Sequence, residues 1–472
     1  MVKVIKRLKT IALGLGIISA VALTSCSDDD GPGYSERAMD NTELKTILME
    51  KGYTFNEQGA LLLDDKVKNT TSLDLSGTGI TDFSGLELFP NLTDLNLSNN
   101  GYGPLFDMTK LPEQITSLDL RKNEIFDFDG LVDATVVNDE VKTTIIRELS
   151  KLYLPESAKW NIEDLMPFYI QNKADGTTID MQMVNSKGVL EAYNTLREIP
   201  DEYFRAYLKM NFSSIFATET AVDISKSLSV MERGNNINLW YKNQFANISE
   251  IKSIEGIEYF INNPYYNEFY VSLGYENPDY INEVSYLMPR SNIRGLALMN
   301  TNTKNGIDLS KATNLVSLAF SNNENLEELS LQNTLIANQD CSDYDASLGN
   351  LIQINNCPNL EKIELPNPNK HFIGSINLIN LPKLKQMNLS TFNGMGFLVL
   401  LNLPNTDIVY PSDCKYGQDM KDATESPISF AISEDVFNMT STQTFITNNR
   451  SRLRDAYSSY RKNGAYKWSK YL

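Results

Sequence analysis

A pair of leucines that returns at a fixed spacing constrains this chain more than any other feature. Leu73-Asp74-Leu75 recurs as Leu95-Asn96-Leu97 and as Leu118-Asp119-Leu120, 22 and 23 residues apart. An asparagine follows three residues after the second and third pairs, at Asn100 and Asn123, and Leu149-x-x-Leu152-Tyr153-Leu154 continues the series. In a strand, alternate side chains point to opposite faces, so such a leucine pair points inward and its neighbours outward. One coil of this length cannot bury its own leucines. Stacked coils can, because they share a continuous interior. The asparagine suits the turn that leaves the strand, where its side chain can satisfy backbone groups.

A second series begins near Ile237. Asn236-Ile237-Asn238-Leu239 is followed by pairs at Leu296/Leu298, Leu318/Phe320, Leu329/Leu331, Ile352/Ile354, Ile363/Leu365, Ile376/Leu378, Met387/Leu389 and Leu398/Leu400. The step from Leu296 to Leu318 is 22 residues, but several later steps are 11, which predicts two short strands per coil, one on each face. Cys357 falls where the first series has asparagine, and so reads as an interior residue rather than a reactive thiol. The two series are related. Ile80 to Phe89 aligns without gaps on Ile251 to Phe260, 171 residues later. Each is preceded by an amphipathic segment, Asn41 to Lys51 and Asp201 to Phe212. These predict helices that cap the first leucine row of each stack.

The spacing Leu92-x-x-Leu95-x-Leu97-x-x-Asn100 resembles the leucine-rich repeat family, most closely its 22-residue internalin-like class. The resemblance implies an α/β solenoid: two tandem leucine-rich-repeat arrays with short parallel strands, an irregular or helical convex side and helical N-terminal caps. Ile199 to Leu208 also resembles the cap of a family of bacterial surface repeat proteins, in which the cap helix often runs into a calcium loop. The corresponding stretch here, Asn211 to Thr218, lacks alternating carboxylates and a central glycine, so neither calcium nor any other cofactor is expected.

The N-terminus reads as an address. Lys3, Lys6, Arg7 and Lys9 precede an apolar run from Ile11 to Leu23, of signal-peptide rather than membrane-spanning length. Leu23-Thr24-Ser25-Cys26 resembles the bacterial lipobox, which implies cleavage after residue 25 and lipidation of Cys26. Ser27-Asp28-Asp29-Asp30-Gly31-Pro32-Gly33 cannot bury apolar area and predicts a flexible tether. It also resembles the surface-export signal of lipoproteins from gut-commensal Gram-negative bacteria, which implies an outer-membrane lipoprotein on the extracellular face, held to the membrane through its lipid alone.

The expected organisation is a signal peptide (1–25), a tether (26–40), a helical cap (41–69), a first array (70–155), a connector (156–198), a second cap (199–235), a second array (236–410) and a C-terminal cap (411–472). In the connector, Met166 to Tyr169 is expected to pack on the first array, Asp175-Gly176 to turn, and Ser186 to Arg197 to form a helix. In the final segment a basic helix over Asn448 to Arg461 and the aromatic run Tyr466-Lys467-Trp468 are expected to close the stack.

A net charge of −18 argues against nucleic acid as a partner, since phosphate binding needs clustered Lys and Arg. His371 is the one histidine, which leaves no His-paired catalytic site and no multi-His metal site within one chain. Cys26, Cys341, Cys357 and Cys414 follow no zinc or redox spacing, and whether Cys341 and Cys414 pair is open. No nucleophile elbow, phosphate loop or zincin motif is present. Outward strand residues are therefore the candidate recognition surface: Asp74, Asn96, Asp119, Arg121 and Tyr153 in the first array, Asn238 and Trp240 in the second. The aromatic stretch 259–286 reads either as packing, with Phe269, Val271 and Leu273 on one buried face, or as a gripping loop. The expectation is a non-catalytic surface protein that binds an extracellular protein or glycan. The alternatives are a scaffold in an outer-membrane complex and, less favoured, a hydrolase.

Overall fold

The computed structural model describes residues 34–137, 140–226, 236–239, 245–266, 269–273, 282–337, 350–366, 372–392, 394–412 and 427–471. Many short parallel strands make up its two main sheets. In the first, strands Ser72–Asp74, Asp94–Asn96, Ser117–Asp119, Lys151–Leu154 and Asp180–Val184 lie side by side in chain order. Their register sets Leu73, Leu95, Leu118, Leu152 and Met181 in one row. That row is buried, as the spacing requires. Asn100 and Asn123 close the turns. Asn123 Nδ2 donates to the carbonyls of Leu97 and Leu120, while its Oδ1 accepts the N–H of Asn100 and Tyr102.

The second sheet has nine parallel strands running from Asn236–Leu239 to Leu453–Asp455. Ile237, Val271, Leu296, Leu318, Ile352, Ile376, Leu398 and Phe430 form its buried row. The 11-residue steps are realised as a separate four-stranded sheet, Glu328–Ser330, Lys362–Glu364, Gln386–Asn388 and Asp407–Val409. Each of these follows a strand of the larger sheet, so one turn of chain supplies both. Where the chain leaves those strands, Asn300, Asn322, Asn356, Asn380 and Asn402 adopt positive φ. Asparagine tolerates that conformation and can hydrogen-bond locally. Here Asn402 donates to Asn380, Asn380 to Asn356 and Asn322 to Asn300. Cys357 is fully buried, and burial pushes its thiol up to about 11, as suits an interior residue.

Both expected cap helices are present, Thr42–Glu50 and Glu202–Phe212. Each is tied to its stack through its N-cap side chain. Asn41 accepts the N–H of Leu44 and donates to the carbonyls of Asp82 and Ser84. Asp201 accepts the N–H of Tyr203 and Phe204 and, through its other oxygen, those of Lys252 and Ser253. The loops gripped in this way are the duplicated segments. Gly85 and Gly256 share a φ near +100° (+101° and +102°), and a Cβ at either would strike the cap region, at Met39 or Ile199. Glu87 and Glu258 each return a carboxylate oxygen to that glycine's N–H. The duplication thus preserves a docking device as well as a sequence.

Three expectations are corrected. The leucine pattern fades at residue 155, yet the first sheet continues through Asp180–Val184 and ends on the antiparallel strand Leu190–Ala192. Residues Ser186 to Arg197 accordingly form no helix. Asn185 caps a turn by accepting the N–H of Lys187 and Val189, and the chain returns as strands Leu190–Ala192 and Leu196–Glu198. The basic segment Asn448 to Arg461 is also no continuous helix, its helical parts beyond Asn449 being the 3₁₀ turn Arg450–Arg452 and the short helix Tyr457–Tyr460. The helix Thr440–Asn449 ends where that segment was to begin, and Leu453–Asp455 instead adds a parallel strand beside Ile428–Ile432. The aromatic tail does close the stack, with Trp468 buried and donating to the Phe430 carbonyl. The side opposite the main strands carries short strands and 3₁₀ turns such as Leu86–Leu88 rather than long helices.

Phe126, from within the first leucine series, and Trp160, Ile162 and Met166, from between the two series, belong to the hydrophobic core of the second array. Phe126 packs on Tyr286 at 4.7 Å and Trp160 on Tyr259 at 4.8 Å. The two arrays are therefore joined by shared core, and Leu165 and Phe168, on the helix Leu165–Ala174 that also carries Met166, bury into the first.

Candidate ligand-binding surface

Asp74, Asn96 and Asp119 stand at one register position on neighbouring strands. Each accepts the backbone N–H two residues ahead, from Ser76, Ser98 and Arg121. That bond ends the strand, and at Asp74 it holds the carboxyl below the usual carboxylate range. These residues therefore have a structural task in the turn beyond any contact with a ligand. Asp119 is not an open position at all. It is buried, and the Arg121 guanidinium grips both its oxygens. Tyr153 is likewise engaged. The Arg121 guanidinium and the Lys151 ammonium each lie 5.5 Å from its ring centre, and its hydroxyl donates to Asp180 at 2.6 Å. Asn238 is exposed on the other sheet, where the Tyr207 hydroxyl exchanges hydrogen bonds with its backbone. Trp240, like Cys26, Cys341, His371 and Cys414, lies outside the described residues. In the aromatic stretch Tyr259, Phe260, Tyr266 and Tyr286 are buried along with Val271 and Leu273, which favours the packing reading; the Phe269 side chain is outside the description.

Beside Arg121 the surface opens into a cavity of about 580 Å³ between the first sheet and the hairpin that ends it, with Pro155, Val184 and Leu190 as its apolar wall. A second cavity, about 340 Å³, lies between the arrays. Glu124, Glu156 and Ser157 line both, so the two adjoin as one groove. The connector contributes Trp160 and Lys159 to the second cavity, and the second array contributes Glu255, Glu258 and Glu283. Lys159 pairs with Glu156 at 3.2 Å and with Glu255 at 3.7 Å, across the junction. Glu258 is fully buried and accepts the N–H of Gly256 and Ser285; burial still pushes its carboxyl up to about 7.

Behind the groove an ionic cluster joins the arrays. Arg290, 2% exposed, contacts Glu163 at 2.7 Å and Asp127 at 3.1 Å. Lys311 contacts the same two carboxylates at 3.1 and 3.3 Å. Asn161 donates to Asp127 and Asp164, and the Tyr265 hydroxyl to the Glu163 carbonyl. Asp127, Glu163 and Asp164 are the one acidic trio among the described residues whose oxygens converge within 4.8 Å. Arg290 and Lys311 already supply the positive charge that a cation would bring there. Burial, then Glu163 and Asp127, pushes the Asp164 carboxyl up to about 8. With Asp164 protonated, two carboxylates face two cations and the cluster is neutral.

A pH dependence follows. Asp164 has a folded pKa above its unfolded value of about 3.9. Its contribution is fully present below about pH 4 and is lost as pH rises towards about 8. Asp164→Asn removes that loss while keeping an oxygen for Asn161. Its stability relative to the wild type is expected to rise between pH 4 and pH 8 by at least about 1 kcal/mol, the worth of one pKa unit. Urea midpoints of both proteins across that range measure this, and curves that stay parallel would refute it.

Sequence reasoning missed Arg290, Lys311, Asp127, Glu163 and Asp164 because the partners lie up to 184 residues apart. The one local signal was a set of charges inside apolar stretches, Ile162-Glu163-Asp164-Leu165 and Leu287-Met288-Pro289-Arg290. No known family model matches the chain, and no curated protein matches it.

Proposed function

We propose that this chain is a leucine-rich-repeat surface lipoprotein, anchored to the outer membrane through Cys26, that binds an extracellular protein or glycan without catalysis. On this reading the two stacked arrays are solenoids, and the groove between them is the binding site. The observation that carries it is the groove itself, since a concave site at the joint of two rigid units, with apolar walls and convergent polar groups, is where ligands bind in proteins generally. Support for the repeat assignment comes from the register of Leu73, Leu95 and Leu118 and from the asparagine turns. Capture of extracellular ligands from host or gut material by the full chain, compared with a Glu124→Gln/Glu283→Gln variant, tests the binding role. Equal capture by both would remove the groove from it. Labelling with a fatty-acid analogue, lost in Cys26→Ser, tests the anchor, and protease shaving of intact cells tests the outward face.

A second reading, a scaffold in an outer-membrane complex, is favoured by the hairpin Val132–Val137 and Glu140–Ile145, which leaves Val136, Val137 and Val141 exposed. Cross-linking from that hairpin to a neighbouring membrane protein would support it over the first.

A further inference from the structure

We propose that the groove takes an extended protein segment rather than a glycan, with a basic side chain entering the cavity between the arrays and an acidic one lying at Lys122. This rests on the binding role proposed above and narrows its ligand.

Two observations carry it. The first is that, among the described residues, the groove offers no free aromatic platform. A neutral sugar has no charge to recognise and is held by directional hydrogen bonds and by stacking on an open aromatic face. The described aromatic residues that line the groove are Phe126 and Trp160, each 4% exposed. Phe126 is packed on Tyr286, and Trp160 is stacked on Tyr259 with the Lys159 ammonium 4.5 Å from its ring centre. Tyr153, beside the groove, is flanked by two cations and tied by its hydroxyl.

The second is that the groove is dipolar. At one end stand Lys122, which is exposed, and Arg121, whose guanidinium is held by Asp119. Towards the other, Glu124, Glu156, Glu255 and Glu283 outnumber Lys159 and Lys304, and Lys159 is shared between Glu156 and Glu255. A rim of this kind attracts a cation into the junction cavity and an anion to the opposite end, and so fixes the orientation of a ligand carrying both. The apolar wall of Pro155, Val184 and Leu190 suits the aliphatic parts of a peptide between those charges. Glu258, buried at the cavity and held by two backbone N–H groups, keeps the wall rigid rather than contacting the ligand.

The test is calorimetric titration of the full chain. The probes are short peptides in a Gly/Ser/Thr background with one Asp and one Lys, in both orders and at a series of spacings. Peptides with Asp alone or Lys alone, and neutral glucose and xylose oligosaccharides, are titrated in parallel. The expected result is that one order and spacing of the two charges binds about tenfold more tightly than either single-charge peptide, a difference of about 1.4 kcal/mol. Lys122→Gln and Glu283→Gln, both at exposed positions, should each erase that advantage, as should raised salt. Oligosaccharide binding that survives both substitutions would overturn the peptide assignment and leave the binding role standing. Peptides that bind regardless of charge order, or not at all, would also overturn it, while capture of ligands in the experiment above judges the binding role separately.

Discussion

Arg290→Ala should destabilise the chain by about 3–5 kcal/mol, the usual cost of stripping one partner from a buried ion pair. Arg290 is 2% exposed and bridges Asp127 and Glu163, which come from the far side of the junction. Removing it leaves Lys311, a more exposed cation, to face both carboxylates and the neighbouring Asp164. Two of its nitrogens, Nε and Nη1, make no hydrogen bond. The native pair is therefore imperfectly compensated, and replacing both charges should cost far less than removing one. Arg290→Met combined with Asp127→Leu leaves Glu163 with Lys311 and should recover most of the loss. Denaturant unfolding of the three proteins checks this. A single variant as stable as the wild type would mean that the cluster does not hold the junction.

Leu118→Ala should cost about 2–5 kcal/mol, the range for truncating a buried leucine whose surroundings collapse incompletely. Leu118 is fully buried and sits in the middle of its row, between Leu95 on one strand and Leu152 on the other. A cavity there has stacked coils on both sides, which are fixed by their own strand pairing and cannot close in freely. Asp74→Ala, on the outward face of the first strand, removes one turn hydrogen bond from an exposed carboxylate and should cost about 1 kcal/mol or less. The ratio of these two effects, measured by urea denaturation, reports whether the leucine row is a shared interior. Equal effects would contradict it.

The repeating part of the architecture was readable because periodicity is local. Leu73, Leu95 and Leu118 announce their strands, and the 11-residue steps after Leu318 announce a second sheet. N-cap signals at Asn41 and Asp201 were readable for the same reason. The strand Asp180–Val184 was hidden because Met181 and Met183 replace the leucines, while its place in the sheet is fixed by pairing with Lys151–Leu154. The segment Asn448 to Arg461 has helical composition, but its strand Leu453–Asp455 is set by the free edge of Ile428–Ile432. The candidate surface was legible only as a face. Sequence assigned Asp119 and Tyr153 to the outward face but could not show that Asp119 would be buried, or that Arg121, Lys151 and Asp180 would engage the two residues. The groove and its ionic backing are products of docking two arrays, and neither array carries a local pattern that encodes the other's position.

The two arrays must act as one body, since the junction cavity of the groove exists only where they meet. Scanning calorimetry of the full chain, with hydrogen exchange followed at Ser117–Asp119 and Ser317–Ser321, tests this directly. The account predicts one cooperative transition in which both strands lose protection together, and Arg290→Ala should lower or split it. Two independent transitions in the wild type, neither moved by Arg290→Ala, would contradict it.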